Sequence, residues 1–237
     1  VSIASADSPA GSGSVSLTTG SATVGSAGDI SISGGSSESL SGEGSSVSLS
    51  AGSGSVGGSV SISTGTGFAD NMSGNLTMLS NGQTTISTMD TSVGESGGVE
   101  ISTGATQGHS SGSVVLQTGS SADAVAGGIS IAVGEGDTAA HLRLSAGDNT
   151  GTSGFGGDLS VSAGAGPSGG TITLNAGDGD EGEGGSVSIE AGSGHGVSPG
   201  GSITIKSGIT TGSSDASGDL AISGGSATSA ASGGNVL

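Results

Sequence analysis

The chain has 237 residues, 54 of them Gly and 53 Ser, with two Phe and no Trp, Tyr or Cys. Arg143 and Lys206 are its only Arg and Lys, set against 20 Asp and Glu, for a formal net charge of −18. That balance excludes nucleic-acid binding, which needs a cationic surface to displace counterions, and attachment to anionic lipid, which would repel it.

No apolar run approaches the ~20 residues that span a bilayer, and no basic-then-apolar leader opens the chain. The absence of Cys says little about redox compartment. Gly/Ser-rich composition with few large side chains is ordinarily that of a flexible linker, so order here requires a regular backbone. The chain lacks an initiator Met, begins inside a repeat at Val1-Ser2-Ile3 and stops inside one at Gly233-Gly234-Asn235-Val236-Leu237. The expectation is a processed product or an excerpt of a longer array, open at both ends.

Counted by the first aliphatic of each strand-like pair, copies start at Val1, Val15, Ile30, Val47, Val60, Leu76, Ile86, Val99, Val114, Ile129, Leu142, Leu159, Ile172, Val187, Ile203, Leu220 and Val236. These are 17 units spaced 10 to 17 residues, with a mean of about 14.7. Period-two alternation assigns two faces. One carries two large aliphatics and then a small residue: Val47, Leu49, Ala51; Val60, Ile62, Thr64; Ile172, Leu174, Ala176; Val187, Ile189, Ala191. The other, outward face carries Ser59, Ser61, Ser63; Thr171, Thr173, Asn175; Ser186, Ser188, Glu190.

Seven to ten residues of Gly, Ser, Ala and acid separate the segments, too many for two-residue hairpins. Double Gly stands directly before the segment at 57–58, 97–98, 127–128, 156–157, 169–170, 184–185 and 200–201. Such pairs suit a corner where φ is positive or two backbones come close. The arcs hold little that is apolar, so the wall opposite one segment must be another segment. The pattern predicts an all-β fold, a parallel β-solenoid (β-helix) with two strands and two arcs per flattened coil of about 29 residues, coils ~4.8 Å apart and sheets ~10 Å apart. A three-strand coil is the alternative and an antiparallel sandwich the third choice. The whole of 1–237 is expected to be one repeat-array domain with an irregular insertion at 66–96. Continuous aliphatic columns and backbone ladders would hold it, because no single unit buries enough to fold alone. The scaffold role hangs on those columns: Val187 and Ile189 in solvent, or copies folded into helices or separate hairpins, would collapse it with them.

The 66–96 segment contains all three Met (72, 78 and 89) and Phe68, read as a local plug of bulkier side chains. It also carries two N-glycosylation acceptor patterns, at Asn71 and Asn75. Acidic residues gather in the arcs, most densely as Asp178, Asp180, Glu181 and Glu183. Hard oxygen ligands so close together make calcium the one candidate ion, although neither the EF-hand loop nor the Gly-Gly-x-Gly-x-Asp repeat is present. The competing reading is a solvated acidic tip that keeps the protein soluble.

No catalytic residue and no cofactor-binding residue is identified. His109, His141 and His195 lie in different units. Gly-x-Ser-x-Gly at 94–98, 108–112, 166–170 and 196–200 occurs about as often as composition alone produces it. Gly52-x-Gly54-x-x-Gly57 has the letters of a dinucleotide fingerprint with no helix to follow it. Polysaccharide-cleaving β-helices need clustered carboxylates and aromatics to hold sugars. The regular hydroxyl face resembles that of ice-binding solenoids, but Asp29, Glu100, Arg143, Asp158, Glu190, Lys206 and Asp219 interrupt it.

At the level of GG[S/D/T][V/I/L][S/T][I/L/V]xxG over nearly its whole length, the chain resembles Gly/Ser-rich β-solenoid repeats of large extracellular proteins, including those of algal cell surfaces. The resemblance implies secretion, surface display and a structural or adhesive role, and transfers no catalytic residue. The expected function is a structural module of an extracellular filament, cell-surface layer or adhesive rod, with copies of itself or flanking repeats as partners, and glycans as a further candidate. The alternative is a binding module for carbohydrate, ice or a partner sheet on the outward Ser/Thr face.

Overall fold

A computed structural model describes residues 1–67, 73–138, 140–212, 217–226 and 233–236. Among them there is no helix and no β-strand. The expected parallel β-solenoid is therefore corrected, and the three-strand coil and the antiparallel sandwich fall with it. The reason lies in where hydrogen bonds form. A solenoid needs bonds from coil to coil, whereas the backbone bonds of this chain close single arcs.

Many of the arcs are pinched at a neck. The amide of Gly58 donates to the carbonyl of Gly52 at 2.8 Å, Gly74 to Gly65 at 2.9 Å, Gly157 to Gly147 at 2.9 Å and Gly170 to Gly164 at 2.9 Å. Gly185 does the same to Gly177 at 2.9 Å, Gly201 to Gly192 at 2.8 Å and Gly218 to Gly208 at 3.0 Å. In every case the donor stands two residues before the next aliphatic pair, and the acceptor directly follows the small residue that ends the previous one. Loop closure over so few residues costs little, while bringing units one or two periods apart into register costs more, and two aliphatics per unit return little for it.

The neck also explains the small residue. A Cβ on Gly58 would lie 3.2 Å from the Cβ of Ala51, one on Gly170 3.2 Å from that of Ala163, and one on Gly185 3.3 Å from that of Ala176. There is room for one side chain at this crossing, so an Ala, Ser or Thr faces a Gly. Ser45 is the inverted case. It takes the Gly position, donating from both its amide (3.0 Å) and its hydroxyl (3.1 Å) to the Gly35 carbonyl, and the residue across the neck is Gly34.

Seven double-glycine pairs precede segments, and none of their residues has positive φ; the left-handed glycines are Gly25, Gly94, Gly108, Gly154 and Gly196, all inside arcs. One Gly of each pair thus serves close approach rather than left-handed backbone, the second in five pairs and the first, Gly97 and Gly127, in the other two. Side chains organise the arc tips. Thr91 Oγ1 accepts from the Val93 amide at 3.2 Å and donates to its carbonyl at 2.8 Å, and Ser121 Oγ accepts from the Ala124 amide at 3.2 Å. Asn149 spans its tip, accepting from the Gly151 amide at 2.8 Å and donating to the Ser153 carbonyl at 2.9 Å. These are the local bonds through which Ser, Thr and Asn favour turns over ladders.

Gly97 sets the register of the irregular segment. A Cβ there would meet Thr88 Cγ2 at 3.1 Å, as one on Gly112 would meet Thr103 Cγ2 at 3.5 Å. Thr103 lies four residues after Val99, so the equivalent of Val99 is Thr84, and Ile86 fills the second aliphatic position rather than the first. Phe68 and Met72, two of the side chains expected to plug this segment, lie outside the described residues; Met78 and Met89 are exposed.

The chain divides into two units, Val1–Val115 and Leu116–Leu237. A Gly lies close to a small residue across arcs in each, from Gly13 against Ser5 to Gly112 against Thr103 in the first and from Gly127 against Thr118 to Gly218 against Ser207 in the second, although Gly13, Gly112 and Gly127 lack the backbone bond.

Candidate functional site

Among the described residues no hydrophobic or polar side chain is buried. Val187 is 57% exposed and Ile189 65%, so the columns expected between two walls are absent from the single chain. The accessible surface is 23151 Å². A folded protein of 21.3 kDa would expose about 9,100 Å² and the unfolded chain about 31,000 Å². The chain carries a repetitive apolar face and does not cover it.

That face is regular. In all five pairs between Leu159 and Ile222 the first aliphatic is more covered than the second, as with Ile172 at 51% and Leu174 at 75%. The outward residues Ser59, Ser61, Ser63, Thr171, Thr173, Ser186 and Ser188 are exposed, and none of their hydroxyls is hydrogen-bonded within the chain. The aliphatic and hydroxyl rows expected from the alternation are therefore both open.

The acidic arc is a different matter. Asp178, Asp180, Glu181 and Glu183 are all exposed, and among the described residues no group of three or more His, Cys, Asp or Glu is close enough to hold a metal ion. The arc folds back tightly, since a Cβ on Gly179 would lie 2.6 Å from the carbonyl oxygens of both Gly182 and Glu183. Asn75 is exposed, and Asn71 lies outside the described residues. His109, His141 and His195 belong to no such ligand group either.

One set of residues escaped the sequence reading. Val24 and Val93 directly precede the left-handed Gly25 and Gly94, while Phe155 and Val197 directly follow Gly154 and Gly196, and all four apolar side chains are nearly fully exposed at arc tips. The signal was a single apolar residue beside Gly in an otherwise polar arc.

No family model matches the chain, and no curated protein and no solved structure resembles it significantly. No helix among the described residues is long and apolar enough to cross a membrane.

Proposed function

We propose that the chain is a structural repeat module of an extracellular filament, cell-surface layer or adhesive rod, without enzymatic activity. The observation that carries this reading is the recurrence, along both units, of a Gly lying close to an Ala, Ser or Thr across an arc, with no group of three or more His, Cys, Asp or Glu that could hold a metal ion among the described residues. The columns on which the role was first argued are not formed by one chain. The role now requires that burial come from neighbours, either copies of this chain or flanking repeats, as terminal and neighbouring copies supply it in other repeat arrays. The resemblance of the repeat to those of algal-type surface proteins supports secretion, and the density of acid in the arcs supports solubility between assembled elements. Electron microscopy of the native material tests it. Rods, fibres or a layer containing this chain are expected; its presence only in compact, separate particles would overturn the role.

A second reading is favoured by the unbonded hydroxyl rows. In it the Ser/Thr face binds carbohydrate, ice or a partner sheet. Glycan-array and ice-shaping assays on the chain, with Ser59→Lys, Ser61→Lys and Ser63→Lys as controls, decide it: a response lost in the triple variant supports binding, and silence in both assays with no associated sheet removes it.

A further inference from the structure

We infer that the aliphatic face of the tract from Leu159 to Ile222 docks a second copy of this chain, laid unit against unit. The inference deepens the scaffold role and rests on it, by naming the partner and the surface.

Area comes first. The chain exposes 23151 Å² where a folded protein of its mass exposes about 9,100 Å². The excess is roughly nine times the ~1,600 Å² buried in a complex of standard size. A small ligand or a single-patch partner leaves most of it in water. An extended partner that follows the chain is needed.

Period identifies that partner. Ile172 and Leu174, Val187 and Ile189, and Ile203 and Ile205 recur at spacings of 15 and 16 residues, each pair exposed. A partner that covers every pair must present apolar pairs at the same spacing, with narrow necks between them. This chain has both properties, and a second copy in register meets pair with pair.

Backbone supplies the directional term. Among the described residues, no backbone N–H or C=O of 172–174, 187–189 or 203–205 bonds to another backbone group, because the bonds that form are confined to arcs and their necks. Segments with open backbone groups and alternating side chains are the substrate for edge-to-edge pairing between chains. The pairing belongs to the assembly; the described residues of the single chain form no strand.

Charge sets the conditions. In this tract Glu190, Lys206 and Asp219 sit at outward positions, the dense acids sit in arcs, and no charged residue occupies an aliphatic position. The docking face is uncharged while the arcs repel, so association grows with salt.

The test is sedimentation equilibrium of the 237-residue chain over a concentration series, in dilute buffer and in about 1 M salt, where the screening length is ~3 Å. Two double variants change charge equally on opposite faces: Ile172→Lys with Ile189→Lys, and Ser186→Lys with Ser188→Lys. Docking predicts that the mass of the unaltered chain at least doubles with concentration in high salt, that the aliphatic variant stays monomeric, and that the serine variant associates like the parent. A parent that is monomeric throughout, or two variants that behave alike, overturns it. Rods in native material beside a strictly monomeric chain would leave the scaffold role standing and remove the docking; association of the chain with only compact particles in native material would do the reverse.

Discussion

Gly185 lies against Ala176, its absent Cβ leaving a gap of 3.3 Å to the Ala176 Cβ, while its amide donates to the adjacent Gly177 carbonyl at 2.9 Å. This crossing closes the acidic arc between them and is repeated at neck after neck. The β-branched change Gly185→Val puts side-chain atoms where Ala176 and the Gly177 backbone already are. The expected result is loss of hydrogen-exchange protection at residue 185, up to about tenfold, since a lost backbone bond is worth about 1 kcal/mol. Gly182→Ala, at a position with nothing within 4 Å of the new Cβ, should leave that protection unchanged.

Ser45 and Gly34 offer a sharper version, because their neck is built the other way round. A Cβ on Gly34 would come within 2.7 Å of the Ser45 carbonyl oxygen and 2.9 Å of its hydroxyl. Gly34→Ser should therefore open the neck, and Ser45→Gly should be nearly silent, losing one exposed side-chain bond. The nearest obstacle is the Ser45 backbone carbonyl, which Ser45→Gly retains, so exchange at residue 45 in the double variant should follow that of Gly34→Ser alone.

The period and the double glycines were legible in the sequence, because the spacing of aliphatic pairs and the placement of glycine are local properties. What could not be read was the pairing across each arc: Ala51 was visible as small and Gly58 as glycine, yet nothing linear says that they touch. The expected solenoid failed for a related reason. Val187 and Ile189 show which way a segment faces, but the choice between covering that face within one chain and leaving it for a neighbour depends on bonds between units far apart in sequence. The acidic arc was equally legible as a run of acids along 178–183, and among the described residues no group of three or more His, Cys, Asp or Glu could hold a metal ion.

Calcium follows from that last point. Addition of calcium to the chain should give weak, non-stoichiometric binding that disappears in ~0.15 M salt, the behaviour of screened surface charge. Asp178→Asn with Asp180→Asn should not alter it beyond the loss of charge. A saturable site removed by that double change would contradict the open geometry of the arc.

Acidity should drive association. The chain carries a net charge of −18 near neutrality and a sequence pI of about 4.1. Each carboxylate protonated as pH falls removes repulsion between arcs, and association is favoured where net charge approaches zero. Light scattering at fixed concentration should rise as pH is lowered toward 4.1 and fall again below it, where the net charge turns positive. Scattering that is flat across this range would show that the arcs do not govern contact between chains.

Residue-resolved hydrogen exchange at two concentrations tests the central claim most directly, that necks form within one chain while aliphatic faces are covered only between chains. The amides of Gly170, Gly185 and Gly201 should be protected in dilute and concentrated samples alike, and those of Ile172, Leu174, Val187 and Ile189 should exchange freely when dilute and become protected on concentration. Protection of Val187 and Ile189 in the dilute monomer would contradict the account, because it would place their cover inside the single chain.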